Sequence, residues 1–217
     1  MESFDDQTNP TKDGSGYGDN GTITGAIFSS DTPHSMTGTG TGRFSLSFDG
    51  NNDYVGIDDS ASLDIRTSDF TIEAWIKRNT LNAWHVIVRK DNAGQTTGYE
   101  FYIDSNNRLL LIIKSSFYYG NTIIDSNWHH VAVSADRDGN AVFYIDGKSS
   151  GTSNISASAG DISNAYKLGI GSSGTGGGDY FNGLIDEVRI YETALTLGEI
   201  QQHYAEGLEI HQNLATK

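Results

Sequence analysis

Short stretches in which apolar and polar residues alternate run through most of the chain. Residues 70–78 show the pattern best, because Phe70, Ile72 and Ala74 alternate with Thr71 and Glu73. A repeat of two residues puts every second side chain on the same face of a β-strand. The sequence likewise predicts strands over 22–28, 43–48, 54–57, 84–90, 98–104, 108–114, 128–136, 141–146, 167–170 and 184–191.

The segments between these strands carry turn-forming residues. Residues 49–52 read Asp-Gly-Asn-Asn and predict a hairpin between strands 43–48 and 54–57. Residues 136–140 predict a second hairpin, which joins strand 128–136 to strand 141–146. Closely spaced strands with no helical pattern between them are typical of an antiparallel sandwich.

One helix is predicted near the C-terminus. Thr196 and Glu199 have the spacing of a capping box, in which each residue bonds the backbone of the other. Gly207 is a plausible helix stop. We therefore predict one domain over residues 1–207, with residues 208–217 as a tail or a linker.

Composition and charge exclude several functions. Acidic residues outnumber basic ones 28 to 14, and the net charge of −14 repels phosphate backbones, so we expect no nucleic-acid partner. The chain has no cysteine, which removes disulfides, thiol catalysis and cysteine-based metal sites. It also lacks an apolar run long enough to span a bilayer, so we expect no membrane insertion.

Four aromatic residues are candidates for stacking against a sugar. Trp84 stands at a strand start, Tyr118 and Tyr119 lie beside Gly120, and Tyr180 follows a glycine run. Aromatic residues that loops present to solvent, with polar neighbours, suit a glycan ligand. A role in the hydrophobic core is the alternative for each of them.

The sequence offers no catalytic pair. A retaining glycosidase needs two carboxylates about 5–5.5 Å apart. Asp186 and Glu187 are adjacent, so on a strand they point to opposite faces. Asp136 and Asp138 have alternate spacing but fall in a predicted turn. We therefore expect a protein that is not an enzyme.

A series of motifs along the chain resembles one family. The chain is similar to laminin-G-like domains of the bacterial type, in the concanavalin A-like lectin/glucanase superfamily. The matching motifs are FDD at 4–6, DGSG at 13–16, NGT at 20–22, LSFDG at 46–50, DYV at 53–55, FTIEAWI at 70–76, WHHVA at 128–132, YIDG at 144–147, FNGLIDEVRIY at 181–191, AL at 194–195 and EI at 199–200.

The resemblance implies an all-β, concanavalin A-like jelly-roll sandwich of two antiparallel sheets with one short C-terminal helix. It also implies a structural calcium ion where the first and last long strands meet. The carboxylates that match this site are Asp5 and Asp186, with Asp49 and Asp53 as alternatives. Calcium prefers such oxygen ligands.

Together these observations predict a non-catalytic binding module of a secreted or cell-surface protein. Its expected ligand is a glycan or a cell-surface glycoconjugate. The alternative is a protein-interaction or structural spacer domain that binds no sugar. We expect a monomeric domain of a larger, extracellular protein.

Overall fold

The structure is a computed structural model that describes residues 11–33, 44–91, 96–123 and 125–212. These residues form fourteen strands, two short 3-10 turns and one helix. The strands are β1 (Gly21–Thr24), β2 (Ile27–Ser29), β3 (Ser45–Asp49), β4 (Tyr54–Ile57), β5 (Phe70–Arg78), β6 (His85–Asp91), β7 (Gly98–Ile103), β8 (Arg108–Ile113), β9 (Ser116–Ile123), β10 (His129–Ala135), β11 (Asn140–Ile145), β12 (Lys148–Asn154), β13 (Leu168–Ile170) and β14 (Asn182–Tyr191). The 3-10 turns are Ala61–Leu63 and Ser156–Ser158, and the helix α1 is Leu197–Gln212.

The strands form two seven-stranded antiparallel sheets. The first sheet has the order β1-β4-β13-β6-β7-β8-β9, and the second has the order β12-β11-β10-β5-β14-β3-β2. Sequence neighbours often lie in different sheets, as expected for a jelly roll. The predicted all-β sandwich of the concanavalin A-like type is therefore confirmed.

The core lies between the two sheets and follows the alternation of the strands. Phe70, Ile72, Ala74 and Ile76 of β5 point into it, and all four are fully buried. From the first sheet, alternate residues of β7 and β8 meet them. Since a single register shift would turn these apolar sets outward, burial of one face fixes the strand pairing.

One predicted hairpin is wrong. Strand β3 pairs with β2 and β14 in the second sheet, whereas β4 pairs with β1 and β13 in the first. The turn at 49–52 therefore carries the chain from one sheet to the other. The predicted strand 22–28 is also divided between the sheets, because Gly25 breaks it with a φ of +77°. Turn chemistry alone does not say whether the flanking strands pair.

Two further strands were not predicted. Strand β9 contains the tyrosines that the sequence suggested for a loop, and β12 is a polar edge strand rich in serine. The hairpin of β10 and β11 was predicted and is confirmed. Polar edge strands lack the apolar alternation that identifies buried ones.

The capped helix is confirmed at its start but not at its end. The Thr196 N–H donates to Glu199 Oε2 at 2.8 Å, and the Glu199 N–H donates to Thr196 Oγ1 at 3.3 Å. The helix continues through Gly207, which sits so close to Trp75 that a Cβ there would lie 2.5 Å from Nε1. Gly207 is therefore a packing residue and not a stop. No helix in the described residues has the length and apolar character needed to cross a bilayer.

Candidate functional site

The two sheets differ in what covers their outer faces. Helix α1 packs on the second sheet, where Tyr204 stacks on Trp75 with ring centroids 5.6 Å apart. His203 stacks in the same way on Tyr191, at 5.5 Å. Trp75 is only 3% exposed beneath the helix. This face is therefore closed to a ligand unless the helix moves.

A buried polar network fastens the helix to this sheet. The carboxylate of Glu73 is buried and lies 3.0 Å from His203 Nδ1 on the helix, 3.1 Å from the Tyr191 hydroxyl and 3.4 Å from Arg189 Nη1. Arg189 also contacts Glu187 at 3.0 Å. The alternation of β5 placed Glu73 outside the core but could not show that a helix would cover it.

The outer face of the first sheet carries an aromatic cluster. Residues paired directly across strands share a face, and two such rows cross β6 to β9 on the side away from the core. The rows are Val86, Tyr102, Leu110 and Tyr119, and Arg89, Glu100, Ile112 and Phe117. We call Trp84, Tyr102, Phe117 and Tyr119 the outer aromatic patch.

Three members of the patch reach solvent. Trp84 is 37% exposed and Phe117 is 42% exposed, while Tyr119 is half-buried. Trp84 meets the ring of Tyr102 edge-on at 6.3 Å. The guanidinium carbon of Arg108 lies 4.4 Å from the centre of the Tyr119 ring, within the range of a cation–π contact. These contacts orient the rings of Trp84, Tyr102 and Tyr119.

A buried group of charged residues lies beside the aromatic rings. Arg89 Nε is 2.5 Å from Asp91 Oδ1 and 3.6 Å from Glu100 Oε2, and Arg89 Nη1 donates to the Tyr102 hydroxyl at 3.3 Å. Burial, together with the neighbouring Asp91, raises the pKa of Glu100 to about 7. Burial likewise raises the pKa of Tyr102.

A glycine-rich segment, residues 171–180, forms one edge of this face. The Val86 N–H donates to the backbone carbonyl of Asp179 at 3.0 Å, which joins the segment to β6. The segment also packs directly over Gly169, where a Cβ would lie 2.1 Å from the carbonyl oxygen of Ser172. Asp179 is exposed, and Tyr180 beside it is half-buried.

The structure brings some of the predicted sugar-binding residues together and separates others. Trp84 and Tyr119 lie in the same patch, and Tyr180 lies on the adjoining segment. Tyr118 points to the opposite side of β9, packs on the core and shares a 2.6 Å hydrogen bond with Ser158. Sequence reasoning missed Tyr102 and Phe117, although their positions in the alternation of β7 and β9 could have suggested them.

The predicted calcium ligands are only partly described. Asp5 lies outside the described residues. Asp186 is buried in β14, where its Oδ1 accepts the N–H of Glu187 at 2.8 Å. Within the described ranges, no three His, Asp or Glu side chains are arranged to hold a metal ion. A calcium site at Asp186 therefore depends on oxygen ligands from elsewhere, such as Asp5.

The two alternative ligands serve the turn after β3. Asp53 Oδ2 accepts the N–H of Asp49 at 2.8 Å, and its other oxygen packs against Gly25. Asp49 accepts the Asn51 N–H at 2.8 Å and the Asn51 side-chain amide at 3.1 Å. These bonds fit a turn, in which carboxylates satisfy backbone donors, better than they fit a metal site.

A concave region lies at one edge of the sandwich. It has a volume of about 1100 Å³, and Tyr17, Asp19 and Arg66 are among its polar lining residues. Its apolar lining includes Ile170 and Val188, which are 0% and 3% exposed and belong to the inter-sheet core. The lining of this region contains two aromatic residues, Tyr17 and Tyr191, whereas three rings of the outer aromatic patch reach solvent on one sheet face, so the patch is the better candidate for a ligand site.

Three comparisons place the chain among known proteins. A model of the Laminin_G_3 family, described as the concanavalin A-like lectin/glucanases superfamily, matches residues 49–201. The adhesion G-protein coupled receptor V1 of Danio rerio is 27% identical over 148 residues, which are 62% of this chain and 2% of the receptor.

Solved structures with the same fold include a binding domain of a mosquitocidal protein and a domain of an arabinanase. The binding domain of Paraclostridial Mosquitocidal Protein 1 has a TM-score of 0.74 and 18% identity, and the match covers 94% of this chain and 51% of that one. Domain 4 of AbnA, a GH43 extracellular arabinanase from Geobacillus stearothermophilus solved with arabinotriose, has a TM-score of 0.67 and 22% identity. That match covers 93% of this chain and 95% of that one.

The chain thus spans about half of the toxin domain and a small part of the receptor. The family match covers most of the strands that form both sheets. On the strength of that match, the chain belongs to the Laminin_G_3 family of the concanavalin A-like lectin/glucanase superfamily.

Proposed function

We propose that this chain is a non-catalytic carbohydrate-binding module whose ligand docks on the outer aromatic patch. The observation that carries the proposal is the contrast between the two outer faces. Helix α1 buries the aromatic residues of the second sheet, whereas Trp84 and Phe117 remain exposed on the first. An aromatic ring offers a flat apolar surface to the C–H face of a sugar, and nearby polar groups bond its hydroxyls.

The comparisons support this proposal at the level of the fold. A domain of similar architecture belongs to an extracellular arabinanase and was solved with arabinotriose. Another is the binding domain of a toxin. By analogy we place this chain outside the cell or at its surface, as a monomeric part of a larger protein. A shared fold does not by itself fix a ligand.

Burial of the acidic groups argues against catalysis at the patch. Asp91 and Glu100 lie near each other, and the raised pKa of Glu100, about 7, would suit a general acid. Their side chains are each only 2% exposed, on either side of Arg89. A glycosidic oxygen could not reach them without a rearrangement of the patch. We therefore assign these carboxyl groups a structural role.

Titration calorimetry against a panel of soluble polysaccharides tests the proposal. Trp84→Ala should weaken binding of any ligand found by at least about tenfold, which corresponds to roughly 1.4 kcal/mol. Tyr17→Ala is the matched control, since Tyr17 is 76% exposed but lines the concave region at the edge of the sandwich and not the outer aromatic patch. If Trp84→Ala binds as tightly as the wild type, or if Tyr17→Ala is the variant that loses binding, the patch is not the site.

A protein-interaction domain is the second candidate. The sequence similarity to an adhesion receptor favours it, because such a receptor acts at the cell surface. The same exposed aromatic residues would suit the centre of a protein interface. If the chain binds none of the polysaccharides but binds a protein through the outer aromatic patch, this function is favoured over the first.

A structural calcium ion between Asp5 and Asp186 remains part of the proposal. Its support is the match of Asp186 to the family motif and the high acidic content of the chain. Calcium bound only to the folded state would stabilise it by mass action. Such an ion would lie on the second sheet, away from the outer aromatic patch.

A further inference from the structure

The charged groups of the outer aromatic patch restrict the kind of sugar that it can take. This inference rests on the proposed function. Among the described residues next to the patch, four carboxyl groups accompany two guanidinium groups. The carboxyl groups are those of Asp91, Glu100, Asp104 and Asp179, and the guanidinium groups are those of Arg89 and Arg108.

Both guanidinium groups are already paired with carboxyl groups of the protein. Arg89 lies between two carboxyl groups, and its side chain is 12% exposed. Arg108 forms bonds of 2.7 and 3.1 Å from Nη2 and Nε to a single oxygen of Asp104, while its flat face lies over Tyr119. Recognition of a carboxylate or a sulfate typically uses two neighbouring N–H groups of an arginine, and Asp104 already occupies the Nε–Nη2 edge of Arg108.

The exposed charge at the edge of the patch is negative. Asp179 is exposed on the segment that adjoins β6, and it lies near enough to influence the Tyr102 hydroxyl. The chain as a whole carries a net charge of −14, which adds a long-range repulsion of anions. A uronate, sulfate or sialic acid group placed here would meet carboxylates, and the two guanidinium groups described beside it are already paired with carboxyl groups.

We propose that the outer aromatic patch selects neutral oligosaccharides and rejects those that carry carboxylate or sulfate groups. The rings of Trp84, Phe117 and Tyr119 supply the stacking surface. Asp179 and the Tyr119 hydroxyl are accessible polar groups for sugar hydroxyls. Binding through such contacts depends little on salt, because no ion pair between protein and ligand forms.

Matched pairs of probes separate charge from sugar shape. Tetragalacturonic acid is compared with α-1,4-linked galactotetraose, a hyaluronan hexasaccharide with its own carboxyl-reduced form, and sialyllactose with lactose. Calorimetry at 50 and 500 mM NaCl, with the wild type and with Trp84→Ala, gives the affinity for each. We expect the wild type to bind only the neutral member of each pair and Trp84→Ala to bind neither member. The affinity of the wild type should change less than about twofold between the two salt concentrations.

A variant with two neutralised carboxylates tests whether these charges cause the selectivity. Asp104→Asn with Asp179→Asn removes two negative charges and frees the edge of Arg108, and asparagine tolerates the positive φ of +50° at position 179. In the variant, the affinity for the anionic member of a pair should rise about tenfold relative to the affinity for the neutral member. A tenfold change corresponds to about 1.4 kcal/mol.

The outcomes distinguish this inference from the proposed function. If the wild type prefers an anionic probe and Trp84→Ala loses that binding, the proposed selectivity for neutral sugars is wrong. The proposal of a carbohydrate-binding module then still stands. An unchanged affinity for anionic probes in the double variant would also overturn it. Absence of Trp84-dependent binding to every probe would overturn both.

Discussion

The buried imidazole of His130 makes the stability of the domain fall in mild acid. Its ring lies 5.4 Å from that of Trp75 and 6.1 Å from that of Tyr204, beneath helix α1. Burial lowers its pKa to about 4, although Glu73 Oε2, 3.7 Å from Nε2, opposes the shift. Replacement by Phe keeps an aromatic ring in this position and removes the titration.

The size of the effect follows from the pKa. An unfolded histidine takes up a proton near pH 6.5, whereas the folded His130 stays neutral down to about pH 4. Between these values the unfolded state binds more protons, so the free energy of unfolding falls as the pH falls. A difference of about 2.5 pKa units corresponds to about 3 kcal/mol, accumulated between pH 6.5 and pH 4.

Urea unfolding at a series of pH values measures this contribution. The wild type should lose about 3 kcal/mol more than His130→Phe between pH 7 and pH 4. All other titrating groups are the same in both proteins, including His203 and Glu73, so the difference isolates His130. Parallel stability curves for the two proteins over this range would refute the reasoning.

Three further predictions concern packing, charge and metal. Gly207→Ala should lower the free energy of unfolding by about 1–3 kcal/mol through its clash with Trp75. Gly198→Ala is the control and should not lower it, because the added Cβ would lie 3.9 Å from its nearest neighbour. Urea unfolding of both variants measures the difference. Glu100→Gln should raise the melting temperature above pH 7 but not at pH 4, because folding raises the pKa of this carboxyl group to about 7 and its ionisation in the folded state costs about 3 kcal/mol. Equal shifts in melting temperature at both pH values would contradict this. Asp186→Asn should remove any calcium-induced, chelator-reversible rise in melting temperature, and a full response in the variant would exclude Asp186 as a ligand.

The sequence predicted most of the buried strands because burial imposes a pattern. The alternation in β5 and the β10–β11 hairpin are both visible without a structure. The pairing of β3 and β4 was mispredicted, since a turn of Asp, Gly and Asn residues suits a crossing between sheets as well as a hairpin. The polar edge strand β12 carries no alternation that could identify it.

The residues of the candidate site were also predicted only in part, because residue type alone does not show on which face of a strand a side chain lies. Trp84 and Tyr119 were found from residue type and neighbours. Tyr118 was grouped with Tyr119 because the segment was expected to be a loop, whereas in a strand adjacent side chains face opposite ways. The charged partners of Arg89 and Arg108 could not be predicted, because most of them come from neighbouring strands or from the far end of a turn.

The central claim is that a glycan binds on the outer face of the first sheet. Chemical-shift mapping of the ¹⁵N-labelled domain, titrated with a neutral oligosaccharide that binds it, tests this claim most directly. The account predicts shifts confined to β6 through β9 and to residues 171–180, with the indole N–H of Trp84 among the largest. Shifts that cluster instead on helix α1, or on the loop that contains Tyr17, would contradict it.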